Sequence, residues 1–176
     1  MAGIISIAIA EDQHLFRKGM MALLNSIPDF KVVVEGADGL EVFQKVLSLP
    51  NKPGVYLVDL RMPTMDGIEF TKRIKEELPD AKIIIISAHD DQDIIVHLYE
   101  KGVNAFIDKN AEPKEIELAI REVVKKGFYI NNMAQTALRE ASLNKKEALP
   151  VKYSSKLSKR DLEILRLICL EKNSSE

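Results

Sequence analysis

Val55-Tyr56-Leu57-Val58-Asp59, followed at once by Leu60-Arg61-Met62-Pro63-Thr64-Met65-Asp66-Gly67, is a short apolar run that stops on a carboxylate. Four more such runs recur at helix-sized intervals, at residues 4–10, 31–35, 82–87 and 105–108. They are rich in Ile and Val and mostly unbroken, as strands buried on both faces are. The stretches between them carry apolar residues at helical spacing. Leu15, Met20, Leu23 and Leu24 form the first set, Val42, Val46 and Leu49 the second, and Ile68, Ile74 and Leu78 the third. Ile94, Ile95, Leu98 and Tyr99 follow, then Ile116, Ile120, Val123 and Val124. Strict alternation of strand and helix predicts right-handed crossovers and a parallel sheet covered on both sides. The body is therefore an α/β doubly wound unit of five strands and five helices, ending near Lys126.

Gly127 is placed to stop the fifth helix. Asn131-Asn132 then offers a cap for a further amphipathic segment, residues 133–142. Residues 143–155 are polar, contain Lys145-Lys146-Glu147 and Pro150, and read as a linker. Ser158-Lys159-Arg160-Asp161 has a capping-box pattern and precedes Leu162, Leu165 and Ile168-Cys169 at helical spacing. The expected organisation is a body over 1–128, a helix and linker over 129–155, and the first helix of a second, incomplete unit over 156–176.

With 176 residues, the chain needs neither disulfide nor structural metal to build a core. Its single cysteine, Cys169, cannot pair internally and has no clustered metal ligands around it, which fits a reducing cytosol. No basic region precedes the apolar start, and no run approaches 18 apolar residues, so neither a signal peptide nor a membrane span is expected. A cytoplasmic protein is the default. Charge is unevenly shared. Residues 1–130 hold 16 Lys and Arg against 21 Asp and Glu, whereas residues 131–176 hold nine against six, as though two units had different partners.

In open parallel sheets function gathers beyond the carboxyl ends of the strands. Those positions hold Glu11-Asp12 after the first strand, Asp59 ending the third, Ser87-Ala88 at the fourth and Lys109 after the fifth. No Gly-x-Gly-x-x-Gly follows the first strand, so a dinucleotide has no cradle. Three carboxylates in one pocket repel unless a cation intervenes, and an oxygen-only ligand set favours Mg2+. A lysine beside them supplies a positive charge for a phosphoryl oxygen. The constellation suits phosphoryl transfer onto a carboxylate.

Each residue also has a plainer reading. Asp59 could be a solvated strand end, Glu11-Asp12 the acidic start of a helix, Ser87 a turn residue and Lys109 a surface lysine. Asp66 reads as a cap of the third helix with Gly67 in the turn. Asp90-Asp91-Asp93 reads as an acidic helix start and Lys125-Lys126 as a basic helix end. His14, His89 and His97 lie scattered, without metal-ligand spacing.

Glu11-Asp12, the stretch from Asp59 to Gly67, Ser87-Ala88 and Lys109 resemble the receiver domain of bacterial two-component response regulators. Residues 10–19, Ala-Glu-Asp-Gln-His-Leu-Phe-Arg-Lys-Gly, are similar to the opening of the NarL/FixJ subgroup with LuxR-type outputs. Residues 156–165 are similar to the start of such a helix-turn-helix output domain. The resemblance implies a flavodoxin-like sheet of order 2-1-3-4-5. It implies Asp59 as phosphoacceptor from a sensor histidine kinase, with Asp12, Glu11, Asp59 and the Arg61 carbonyl holding Mg2+. It gives Ser87 and Lys109 the phosphoryl oxygens and Ala88 the room for them, while Arg61 and His89 adjust hydrolysis of the acyl phosphate. A chain of this kind is a phosphoacceptor that assists its own transfer and dephosphorylation, not an enzyme with a separate substrate. Homodimerisation on phosphorylation is implied as well, with DNA read only by a full output domain and not by the single output helix seen here.

Two departures from the family pattern stand out. Phe106 occupies a position where Tyr is common, so it lacks a phenolic hydroxyl and reads either as core or as a moving switch. Asn110, not Pro, follows Lys109, so a trans peptide bond is expected there. Two alternative functions remain. One is a phosphorylation-independent dimerisation module. The other is a phosphatase attacking through Asp59, which would want an acid two residues on, where Arg61 stands.

Overall fold

The computed structural model describes residues 3–88 and 91–147. Five strands, β1 (Ile5–Ala10), β2 (Phe30–Gly36), β3 (Val55–Asp59), β4 (Ile83–Ser87) and β5 (Ala105–Asp108), form one parallel sheet of order β2-β1-β3-β4-β5. Alternating with them are α1 (His14–Asn25), α2 (Gly39–Ser48), α3 (Gly67–Glu77), α4 (Gln92–Glu100) and α5 (Pro113–Lys126), and α6 (Asn132–Glu147) follows. The predicted doubly wound topology is the one observed, with small shifts at the ends of β1, β2 and β4.

Because side chains alternate along a strand, each central strand feeds two cores. Val55 and Leu57 join Ile84, Ile86 and Ile107 beneath α1 and α5. Tyr56 and Val58 join Ile83, Ile85 and Phe106 beneath α2, α3, α4 and α6. All five residues of β3 and all five of β4 are buried, which explains why neither shows a polar alternation in sequence.

The first helix departs from its predicted face. Leu15 is 86% exposed, while Met20 and Leu24 are buried and Phe16 packs against them. Phe16, Met20 and Leu24 are spaced four residues apart, the true stripe, and Leu15 lies one step off it. Phe70, fully buried beside Ile74, belongs to the core of α3, although the expected apolar face passes over it.

Helix ends follow local chemistry. Asp66 accepts the Glu69 N–H at 2.8 Å and caps α3, and Asp91 does the same for α4. Gly127, with φ +90°, ends α5 in the left-handed conformation expected of it. Among the described residues no peptide bond is cis, so Lys109–Asn110 is trans as expected.

Residues 143–147, expected as linker, instead continue α6. Lys and Glu have high intrinsic helix propensity, and extending a formed helix costs far less than starting one. The remainder of the expected linker and the helix expected after Ser158 lie outside the described residues.

Helix α6 lies along α4, and Tyr99 of α4 with Asn131, just before α6, closes the free edge of β5. In a parallel strand the N–H and C=O of one residue point the same way, and those of Phe106 point outward. The Tyr99 hydroxyl accepts the Phe106 N–H at 3.3 Å and donates to the Tyr129 carbonyl at 2.9 Å. The Asn131 side-chain amide donates to the Phe106 carbonyl at 3.2 Å, while its Oδ1 accepts the Ala134 N–H at 3.0 Å. Asn131 thus caps α6 and seals the sheet edge with one side chain. Replacing it with alanine removes both bonds and a third, from its amide to Glu115 Oε1 at 3.1 Å, and we expect a loss of about 1–2 kcal/mol. Urea unfolding of Asn131→Ala checks this, and a midpoint equal to that of the parent would remove the cap from the account.

Candidate functional site

Sheet register assembles the site. Ala10 pairs with Val58, which brings Glu11 level with Asp59. Asp59 pairs with Ile86 and Ser87 with Asp108, so the ends of β3, β4 and β5 lie in one row. The loops carry the row onward: the Lys109 N–H donates to the Ser87 carbonyl at 2.9 Å. Strand order reverses direction between β1 and β3, and the crevice at such a switch point is where α/β sheets bind ligands.

Lys109 Nζ lies 2.8 Å from Asp59 Oδ2 and 2.9 Å from the Glu11 carboxylate. Glu11, Asp59 and Ser87 are buried, while Asp12 is exposed. Oxygens of Glu11, Asp12 and Asp59 all lie within 4.8 Å of one another, a donor set of the hard kind that divalent cations prefer. Burial pushes the Glu11 carboxyl above its ordinary pKa, and the Asp59 charge adds to this. Hydrogen bonds from Lys109 and the Gln13 N–H pull the other way without cancelling it. Burial also disfavours the Lys109 ammonium, yet its hydrogen bonds to Asp59 and Glu11 outweigh that and hold its pKa above the ordinary lysine value. The lysine therefore stays charged between two carboxylates.

Five of the expected residues thus share one edge. Glu11, Asp12, Asp59 and Lys109 meet directly, and Ser87 ends the neighbouring strand. Ala88 is exposed beside it. Arg61 is exposed too, its N–H 3.4 Å from Asp59 Oδ1. Phe106 stands apart, fully buried in the core beneath α4. His89 lies outside the described residues. Glu11 does not cap α1 as the plainer reading had it: its Oε1 accepts the N–H of Gln13, the residue before the helix, at 3.0 Å, and α1 has no side-chain cap and no acid in its first turn.

Two further residues border the site. The Phe16 ring lies under Lys109 Nζ, 5.0 Å from centroid to nitrogen. Arg17 is 8% exposed and donates to the Glu11 carbonyl oxygen and, at 2.6 Å, to Glu35 Oε2. The signal for Arg17 was available in sequence, for it is a charged residue at helical spacing from Met20 and Leu24 on the buried stripe.

Sheet order and the row of acids with one lysine define a signal receiver. Residues 7–121 match the family described as response regulator receiver domain. The oxygen regulatory protein NreC of Staphylococcus epidermidis is 37% identical over 169 residues, covering 93% of this chain and 77% of that one. A LuxR-family DNA-binding response regulator of Staphylococcus aureus superposes with TM-score 0.64 at 26% identity, over 69% of this chain and 99% of its own. A LuxR-family two-component response regulator from an Aurantimonas species shares the fold with TM-score 0.73 at 24% identity, over 80% of this chain and 99% of its own. The chain belongs to the response regulator receiver family and is a two-component response regulator of the NarL/LuxR type. Among the described residues no helix is long and apolar enough to cross a membrane.

Proposed function

We propose that this receiver works in the cytoplasm, takes a phosphoryl group onto Asp59 from a sensor histidine kinase, and changes its association state in response. The observation that carries this is Lys109 Nζ, held 2.8 Å from Asp59 and 2.9 Å from Glu11 with Asp12 alongside. Glu11, Asp12 and Asp59, with the Arg61 main-chain carbonyl, would hold Mg2+. The all-oxygen donor set and the raised Glu11 carboxyl, which ionises more readily beside a cation, fit that ion. When bound, Mg2+ neutralises charge on the phosphoryl oxygens.

The Asp59 carboxylate attacks phosphorus, the P–O bond forms, and the P–N bond to the kinase imidazole breaks. The imidazole leaves with the electron pair and takes a proton from solvent. Lys109 pairs with one phosphoryl oxygen and the Ser87 hydroxyl donates to another, while the small Ala88 leaves space. Arg61 and His89 tune later hydrolysis. The chain turns over no separate substrate and is not an enzyme in that sense. A modification that replaces the single negative charge of the Asp59 carboxylate with about −1.5 to −2 at neutral pH re-sets the loop after β4 and the face around Phe106. Dimerisation follows, and DNA is read only by a full LuxR-type output domain.

Incubation with acetyl phosphate and Mg2+, followed by borohydride trapping and peptide mass mapping, tests the reading. The expected adduct sits on Asp59 and vanishes in a chelator. A label on any other residue, or none at all, overturns it. Sedimentation with beryllofluoride and Mg2+ tests the second half. A mass and shape unchanged by the mimic would favour constitutive association.

A further inference from the structure

We propose that Arg17 is a positioning residue for the cation site: by holding the Glu11 carbonyl it sets the peptide plane from which Glu11 and Asp12 present their carboxylates. This rests on the reading of Glu11, Asp12 and Asp59 as a Mg2+ site, and goes beyond it to a residue that touches neither ion nor phosphoryl group.

The turn between β1 and α1 is pinned at every polar atom of Glu11. Its N–H donates to the Gly36 carbonyl at 3.1 Å, continuing the sheet one residue past β1. Its carboxylate accepts from the Gln13 N–H and from Lys109. Its carbonyl oxygen accepts from Arg17 Nη1. That oxygen belongs to the planar Glu11–Asp12 peptide, so a donor fixed on it fixes the direction in which Asp12 leaves the chain.

Arg17 can serve as a fixed donor because it is itself anchored. Its Nε donates to Glu35 Oε2 at 2.6 Å, and Lys18 Nζ holds the other oxygen of Glu35 at 2.9 Å. Glu35 lies on β2, in register with Ile9, and so ties the guanidinium to the sheet. The rigid fork spans carbonyl and carboxylate together, which a lysine with a single ammonium on a flexible stem does not. Burying a guanidinium in α1 is costly, and an apolar residue would suit the core better. A role at the adjoining turn accounts for the charge there.

The sign of the effect separates positioning from plain electrostatics. A cationic side chain near a cation site repels the ion, so removing it would tighten Mg2+ binding if charge were all that mattered. If Arg17 positions the turn, removal loosens binding instead. Partners that orient metal ligands typically contribute 10–100-fold to affinity. Isothermal titration of the whole chain with Mg2+ is expected to give about tenfold weaker binding for Arg17→Met, and as much for Arg17→Lys, which keeps the charge and loses the fork. Glu35→Gln, which leaves Arg17 in place with a weaker anchor, is expected to lose about threefold. Labelling by acetyl phosphate should then show a raised Mg2+ requirement with a rate restored at saturating Mg2+. Arg121→Met, which breaks a paired guanidinium held by Asp29 at 2.6 and 2.9 Å at the start of β2, is the control for general loosening and should bind Mg2+ like the parent. Thermal melting without Mg2+ confirms that each variant is folded.

Tighter or unchanged binding in Arg17→Met overturns the proposal, as does parent-like binding in Arg17→Lys or an equal loss in Arg121→Met. If Arg17→Met does not fold, Glu35→Gln decides by the same criterion. A parent chain that binds no Mg2+ would defeat the metal-site reading itself, a result distinct from all of these.

Discussion

Lys109→Met is expected to slow phosphoryl transfer to Asp59 by about 10²–10³-fold, the scale seen when one donor to a developing anion is removed. In a chelator it should also destabilise the fold by about 3–5 kcal/mol, as when one partner of a buried ion pair is deleted. The ammonium lies between two carboxylates whose side chains are 5% and 4% exposed, and methionine of similar length fills the space without neutralising either. Asp59 and Glu11 would then face each other with no cation between them. Glu11 already sits above its ordinary value of 4.5 through burial, and losing Lys109 moves it further up. A carboxyl whose folded pKa is raised favours the fold most when protonated. That contribution is complete below about pH 4.5 and is lost as pH rises through the folded value. The variant's deficit should therefore grow from pH 4.5 toward neutrality, and shrink when Mg2+ replaces the missing charge. Urea midpoints across that range, with and without Mg2+, together with labelling rates, check the expectation. A flat pH profile and a rate within threefold of the parent would show that Lys109 is a bystander.

How much of this could be read from residues alone depended on how local the cause was. The strands were legible because runs such as Ile83-Ile84-Ile85-Ile86 suit little else than a strand buried on both faces. The site was legible because a parallel sheet places all its strand ends on one side. Glu11, Asp59, Ser87 and Lys109, scattered along the sequence, had nowhere else to meet. What escaped was set by phase and by distant neighbours. Leu15 looked like core because a face was drawn through it at the wrong angle, though Phe16, Met20 and Leu24 define the true stripe. Phe70 was legible too, since Phe70, Ile74 and Leu78 are spaced four residues apart, but a face drawn through Ile68 passes over it; in the fold it packs against Tyr56. Arg17 was visible as a charge on an apolar face, but Glu35, the residue that anchors it, comes from a different strand. Phe106 left two readings open; its ring lies wholly in the core, its backbone groups tied to Tyr99 and Asn131, so any swing of the ring must disturb the packing of α6.

Gly67 shows the same limit at the phosphoacceptor itself, and Gly67→Ala is expected to cost about 1–3 kcal/mol and to slow labelling of Asp59 by up to about 10²-fold. In sequence Asp66-Gly67 reads as a turn, where glycine supplies backbone freedom. Its backbone is in fact ordinary, and the reason for glycine is proximity. A Cβ there would lie 2.7 Å from the Asp59 carbonyl oxygen, 3.0 Å from Leu60 Cα and 3.2 Å from Ile85 Cδ1. The isoleucine methyl can rotate away, but the backbone that carries Asp59 cannot. The Gly67 N–H also donates to the Leu60 carbonyl at 2.9 Å, so α3 and the end of β3 are locked together and the clash must displace one of them. Alanine recovers up to about 1 kcal/mol of helix propensity in α3, which is too little to offset backbone overlap. Gly19 supplies the opposite case. It lies in α1, exposed, with nothing within 4 Å of an added Cβ, so Gly19→Ala should stabilise by up to about 1 kcal/mol and leave labelling unchanged. Denaturation midpoints and acetyl phosphate labelling of the two variants side by side decide between propensity and proximity. Propensity alone would move both in the same direction, whereas close approach of α3 to the Asp59 carbonyl drives them apart and takes the labelling rate of only Gly67→Ala with it.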